Sequence, residues 1–191
     1  TDAQSLESSQ DIYQDAIARA ALAILYAHWE GYVKVCAECY LGYVAVRRLK
    51  IRNLNSHFLY LDNFQRIKRL TGGSSNVVEK IKIIKEIVEC LDNQNRSKHY
   101  EKISTRSNLN FSNMKFICDT IGIDIENFRD EETLINLIVE RRNFIAHGNE
   151  HIVKLDEFRD QSERMLGLMR RFRNCIENAV LDEAYKNAAL V

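Results

Sequence analysis

The sequence predicts an all-α fold, an up-and-down bundle of five or six helices, and three observations carry that prediction. Average usage would place roughly nine or ten prolines in a chain of this length, yet the 191 residues contain none and only seven glycines. A chain without proline favours long helices over turn-rich β architecture, since no ring removes a backbone donor from a helix interior. Apolar residues recur at three- and four-residue steps through much of the chain, which is the helical period. Polar or glycine-containing breaks divide that pattern into segments long enough to pair side by side.

From about Asp11 to Lys50, residues Ile12, Ala16, Ile17, Ala20, Ile24, Ala27, Gly31 and Val35 trace the stripe of an amphipathic helix. Forty such residues span roughly 60 Å, with room for a bend at Gly31 or Gly42. The polar cluster RNLNSH (52–57) ends this helix. A shorter segment, Phe58 to Leu70, precedes TGGSSN (71–76), where paired glycines and serines suit a turn and a helix cap. Val77 to Leu91 then reads as a helix of alternating isoleucines and lysines. The stretch DNQNRSKHYEKISTRSNLN (92–110) is polar and unperiodic, the longest loop candidate, and its length marks it as functional or mobile. Ser112 starts a short helix that stops at Gly122, and Asp130, Glu131 and Glu132 supply acidic residues for the start of the next. That next helix carries ERRNFIAHGNEH (140–151). Leu155, Phe158, Met165, Met169, Phe172, Ile176 and Val180 mark a long closing helix at heptad-like spacing. With no repeat or low-complexity tract, the length fits one domain over 1–191.

Composition narrows the function. Lysine plus arginine equals aspartate plus glutamate, 27 each, so no global field draws the chain to nucleic acid or an anionic membrane, and any such site must be local. Five scattered cysteines and the lack of a signal-like apolar opening point to a reduced, cytoplasmic protein. No 18-residue apolar run is present, so no membrane span is expected. The chain opens at Thr1 rather than methionine, so a natural start can lie upstream.

The chemistry concentrates in ERRNFIAHG. Leu134, Leu137, Ile138 and Ile145 form an apolar stripe that includes position 141, yet Arg141 stands there, and Arg142 continues the neighbouring line of Ile135, Ile138 and Val139. An arginine flanked by core positions must be paired, at an interface, or lining a cleft, because unpaired burial of its charge is very costly. His147, just before Gly148, suits a helix C-terminus, whose carbonyls favour a protonated imidazole. A histidine that takes up and releases a proton, beside an arginine that holds phosphate by forked hydrogen bonds, suits metal-free RNA cleavage. The mechanism needs an acid and a base, and a two-fold dimer supplies both by bringing His147 from each subunit to one site. His151 is a lesser candidate for either role.

By itself the pattern is weak. Sixteen arginines and five histidines in this length give an arginine five positions before a histidine about 0.4 times by chance. A second copy is present, from Arg52 and Asn53 to His57, but it lacks the preceding acidic residue and the following glycine and lies in a polar linker. The ordinary reading of Arg142 and His147 is a basic helix end interacting with its own carbonyls. Glu140 orients Arg141 or His147, or is simply exposed. His28 and Glu30 flank Trp29 as a polar interruption of the first helix: either a buried, satisfied histidine beside a core tryptophan, or the wall of a catalytic cleft or side chains that orient its lining from behind. Cys36 and Cys39 form a lone pair of cysteines with no second pair, so no metal site is expected. TGGSSN lacks the lysine and spacing of a phosphate-binding loop. Basic groups at 47–52, 66–69 and 170–173 serve equally as RNA-backbone contacts or solvated helix faces.

Around ERRNFIAHG the chain resembles the HEPN ribonucleases (higher eukaryotes and prokaryotes nucleotide-binding), whose signature is an arginine, usually followed by a polar residue, then a histidine after four to six positions. Arg142, Asn143 and His147 match that signature, and Arg141 with His147 matches it with five intervening residues. YAHWEGYVKVCAECYLGYV (26–44) and SNLNFSNMKFICDTIGID (107–124) are similar to the stand-alone bacterial MAE-type branch. The resemblance implies a helical bundle, a homodimer with a composite site, and metal-independent endoribonuclease activity without a cofactor. It also implies a toxin–antitoxin or antiviral context, with an antitoxin or regulatory protein as partner. It places catalysis on Arg142, Asn143 and His147, with Arg141, Glu140, His151, His28 and Glu30 as secondary candidates. The competing reading is an inactive helical module that dimerises or binds a nucleotide or a protein partner. A third is a chain modified on a tyrosine near the site by a nucleotide-transferring antitoxin.

Overall fold

The computed structural model describes residues 2–73, 76–95, 103–105, 108–149 and 153–187, with side chains from residue 12 onward. Among the described residues there are six α-helices and no strand: α1 (Asp2–Val46), α2 (Ser56–Thr71), α3 (Val77–Cys90), α4 (Phe111–Ile121), α5 (Glu132–Ala146) and α6 (Leu155–Leu181). Short 3-10 turns at Ile51–Asn53 and Ile125–Glu131 lead into α2 and α5. The fold is all-α. Residues 92–95, 103–105 and 108–110 of the expected long loop are non-helical, and its remaining residues lie outside the described ones.

Local chemistry sets the helix ends. Asn55 caps α2 by accepting hydrogen bonds from the His57 and Phe58 N–H groups, and Asn76 caps α3 through the Glu79 N–H. Asn110 does the same for α4 through the Asn113 N–H at 2.9 Å. An asparagine oxygen here satisfies a donor that has no partner inside the helix. Gly122 and Gly148, at φ of +77° and +73°, follow the ends of α4 and α5 in the left-handed conformation that glycine adopts without steric cost. Helix α1 continues unbroken through both Gly31 and Gly42.

The chain packs into two compact units. The first comprises Thr1–Val35, Thr105–Lys115 and Ile125–Arg173. Its core joins Leu22, Trp29 and Val33 of α1, Leu109, Met114, Phe128, the Leu134, Ile135 and Ile138 line of α5, and Met165, Leu168 and Phe172 of α6. Trp29 is fully buried, and its Nε1 donates to the Leu109 carbonyl at 3.4 Å. The second unit comprises Cys36–Ser104, Phe116–Asp124 and Asn174–Val191. It is built on Tyr40, Leu41, Val44, Phe58, Leu61, Ile83, Ile117, Ile121 and Tyr185. There the Tyr40 and Phe58 rings meet edge-on, with centroids 5.7 Å apart.

One expectation about α1 fails. An amphipathic helix buries its apolar stripe, but Ile12, Ile17, Ile24 and Val35 of the predicted stripe are exposed, between 48 and 69 %. The buried line runs instead through Ala18, Leu22, Trp29, Val33, Ala37 and Val44. The reason lies in the composition of α1: a helix with apolar residues around most of its circumference has no single stripe for periodicity to pick out.

Candidate functional site

Asn136, Glu140, Asn143 and His147 follow one another at steps of four, three and four residues, so they fall on one face of α5. With Val139 and Phe144 on its flanks, Asn110 from the turn before α4, and Asn149 from the turn after α5, this face lines a cleft of about 390 Å³. All of these residues belong to the first unit. His147 closes α5, its N–H donating to the Asn143 carbonyl at 3.0 Å, and its side chain is exposed. The left-handed Gly148 turns the chain so that the Asn149 N–H reaches the Phe144 carbonyl at 3.0 Å. Arg19 of α1 donates to the Asn149 carbonyl at 3.1 Å, and Asp15 accepts from the Val153 N–H at 2.8 Å. The loop that follows His147 is therefore pinned to α1.

The two arginines have different surroundings. Arg141, 11 % exposed, pairs with Glu157 at 2.5 Å and donates to Gln161 at 3.2 Å, both on α6. The charge in the apolar stripe is thus neutralised within the unit, and its carboxylate partner is Glu157 rather than Glu140. Arg142 instead lays its guanidinium over the Tyr26 ring of α1, 4.0 Å from the centroid. The Tyr26 hydroxyl accepts from the Leu109 N–H at 2.7 Å. Burial raises the Tyr26 phenol above its ordinary value, against the lowering effects of the Leu109 N–H and of Arg142, while the nearby Glu30 carboxylate raises it further. His147 lies five positions after Arg142, which sets them about 140° apart around the axis. Asn143 and His147 therefore share the cleft, and Arg142 faces Tyr26 beside it.

The secondary candidates divide in the same way. Glu140 lines the cleft with His147, whereas Arg141 is held by α6 and does not line it. His28 is exposed on α1, which overturns the buried-histidine reading, and it does not line the cleft beside His147; its neighbour Trp29 is core as expected. Glu30 is half-buried beside Tyr26. His151 lies outside the described residues.

The second arginine–histidine copy has a structural explanation. His57 is half-buried, not a surface residue of a linker: its Nδ1 lies 2.7 Å from the Asp119 carbonyl, and its ring packs against Gly122. Arg52 pairs with Asp92 at 2.5 Å. Both line a separate cavity of about 550 Å³ in the second unit, together with Asn55, Lys186 and Asn187.

Sequence reading missed Asn110, Asn136, Phe144, Asn149 and Tyr26. Asn136 was accessible, because a polar line at steps of four, three and four on an otherwise apolar helix is as periodic as the stripe itself. Phe144 was hidden as one more apolar residue, although 42 % of it is exposed. Tyr26, Asn110 and Asn149 come from distant segments, and no local pattern marks them. Among the described residues, no group of three or more histidine, cysteine, aspartate or glutamate side chains is placed to hold a metal ion, and no helix is long and apolar enough to cross a membrane.

Comparison with known proteins gives one match: the model of the family described as RiboL-PSP-HEPN fits residues 2–178. No curated protein and no solved structure matches.

Proposed function

Since the chain belongs to the RiboL-PSP-HEPN family, we propose that it is a metal-independent endoribonuclease acting as a homodimer, with a composite site built from α5 of both subunits. The observation that carries this reading is the exposed His147 at the end of α5, sharing a cleft with Asn143. One His147 removes the proton of a ribose 2′-hydroxyl, and the oxygen attacks the adjacent phosphorus. The bond to the 5′-oxygen breaks, and His147 of the second subunit protonates that oxygen as it leaves. The products are a 2′,3′-cyclic phosphate and a 5′-hydroxyl. Arg142 binds the phosphate through its edge N–H groups and stabilises the charge that builds on the oxygens. Stacking on Tyr26 fixes its plane in advance, which lowers the entropic cost of that contact. Asn143 orients the phosphate or the histidine.

Dimerisation answers the angular separation of Arg142 and His147, since an isologous interface brings second copies of both residues to one place. The exposed apolar row of α1, with Tyr13, Ile17 and Ile24, supports that interface. The row lies on the segment that Asp15 and Arg19 tie to the loop after His147. In the cell, the reading is a cytoplasmic toxin or antiviral effector restrained by an antitoxin or regulatory protein. Growth arrest on expression, relieved by His147→Ala, supports that role.

The decisive test is RNA cleavage in the presence of chelator by the parent, His147→Ala and His57→Ala proteins, with the RNA ends identified. Cyclic phosphate ends from the parent and from His57→Ala, and a rate lower by at least about 100-fold in His147→Ala, support the mechanism. Activity that vanishes with chelator, or survives in His147→Ala, overturns it. If no RNA is cut by any of the three, the interaction-module reading takes its place.

A further inference from the structure

The cleft beside His147 has a lining that phosphate chemistry does not explain. Glu140 is exposed and lines it, and a carboxylate there repels the phosphates of any bound RNA. Phe144 lines the same cleft with an exposed aromatic ring. The asparagines have defined orientations. The Asn136 Oδ1 accepts from the Phe111 N–H at 3.0 Å, which leaves Nδ2 as the donating end. The Asn110 Oδ1 is engaged by the Asn113 N–H at 2.9 Å and likewise leaves a donor. The cleft therefore combines amide donors, a two-oxygen acceptor and an aromatic face, in a volume suited to a small flat ligand.

We infer that this cleft is a guanine-binding subsite, in which Phe144 stacks on the base, Glu140 accepts from its N1–H and N2–H, and Asn136 or Asn110 donates to O6. The chemistry of the base edges selects guanine. Guanine alone presents two adjacent N–H donors that match the two oxygens of a carboxylate, with a carbonyl acceptor beside them. Adenine and cytosine place a ring-nitrogen lone pair next to the amino group, and uracil places one N–H between two carbonyls, so each sets an acceptor against Glu140. Stacking on an aromatic ring combined with hydrogen bonds to an unpaired edge is the general way proteins read single-stranded RNA. With the base held along α5 and His147 at its end, the phosphate attached to that guanosine lies toward the histidine. That last step rests on the nuclease reading above, whereas base recognition does not.

The test is calorimetric titration of the parent, Glu140→Gln and Phe144→Leu proteins with 3′-GMP, 3′-AMP, 3′-CMP and 3′-UMP, beside mapping of cleavage sites on a mixed-sequence RNA. The expected result is at least about tenfold tighter binding of 3′-GMP by the parent, as one lost bidentate pair implies. Glu140→Gln should abolish that discrimination, because its amide sets N–H against N–H. Phe144→Leu should weaken all four nucleotides by a similar factor. Equal binding of the four by the parent, no binding at all, or selectivity that survives Glu140→Gln overturns the subsite. A Glu140→Gln protein that cuts more slowly at every base with guanine selectivity intact also overturns it, and assigns Glu140 to positioning His147. The two readings fail separately: guanine-selective binding without cleavage removes the nuclease and keeps the subsite, while cleavage without base preference does the reverse.

Discussion

Arg141 and Arg142 are neighbours on α5 whose different partners predict different losses. Arg141→Ala removes the donor to Oε1 of the buried Gln161 and the cation paired with Glu157, which keeps the Gln161 Nε2 donor at 3.1 Å. It should cost about 1–3 kcal/mol of stability, the range for leaving a buried polar group unsatisfied, with the partly exposed Glu157 holding it toward the lower end. Arg142→Ala loses, among other contacts, the cation–ring contact with Tyr26, worth about 0.5–2 kcal/mol. Its cleavage rate should nevertheless fall by about 100-fold or more, if the guanidinium stabilises the phosphate. Denaturant midpoints and cleavage rates of the two variants check this: larger activity loss in Arg141→Ala than in Arg142→Ala reverses the assignment. The sequence showed that both arginines interrupt apolar lines. It could not show which was neutralised, because Glu157 and Gln161 sit on another helix and reach α5 only through folding. The histidine was legible for a simpler reason, since a glycine after a periodic segment marks the helix end in the local chain.

At the scale of the element, glycines and caps fix where α4 and α5 stop. Gly122 and Gly148 both have left-handed backbone, so alanine at either position should cost about 1 kcal/mol or more. A Cβ at Gly122 would also lie 3.0 Å from the His57 ring, whereas one at Gly148 would meet nothing within 4 Å. Gly122→Ala should therefore lower the melting temperature further than Gly148→Ala, and adding His57→Ala should narrow the gap. Equal melting temperatures would show that the ring yields to the methyl group. Helix boundaries were readable to within a few residues at most ends because Asn55, Asn76, Gly122 and Gly148 act over one turn of chain. The facing of α1 was not. Ile17 and Ile24 are as apolar as Leu22 and Val33, and only the packed helices decide which set is covered.

For the whole molecule, a net charge of zero leaves no long-range repulsion between copies, so association depends on apolar surface. Ile17→Asp and Ile24→Asp place charge on the exposed row of α1 and touch no buried position. Each should convert a dimer into a monomer by sedimentation, with an unchanged helical spectrum and RNA cleavage reduced by at least about tenfold. A monomeric parent that cuts RNA at micromolar concentration would eliminate the shared site. At alkaline pH, burial raises the phenols of Tyr40 and Tyr26, and pushes Tyr185 up to about 12. A raised phenol favours the folded state only while it stays neutral. Its contribution is complete below the ordinary value near 10 and declines as pH climbs through the folded value. Urea midpoints should hold steady up to about pH 10 and then fall, and substituting Phe for Tyr185, which removes the ionising group, should flatten that decline.

Trp29 supplies the molecule with its own optical probe. It is the only tryptophan in the chain, it is fully buried, and its indole is hydrogen-bonded to Leu109 within the first unit. Its fluorescence should be blue-shifted and shielded from iodide, and should move to the red when that unit unfolds, while circular dichroism follows helices in both. Helices α1, α4 and α6 each contribute residues to both units, so the two signals should change together across a denaturant series. An emission change that precedes the loss of helix would show that the part carrying His147 opens first.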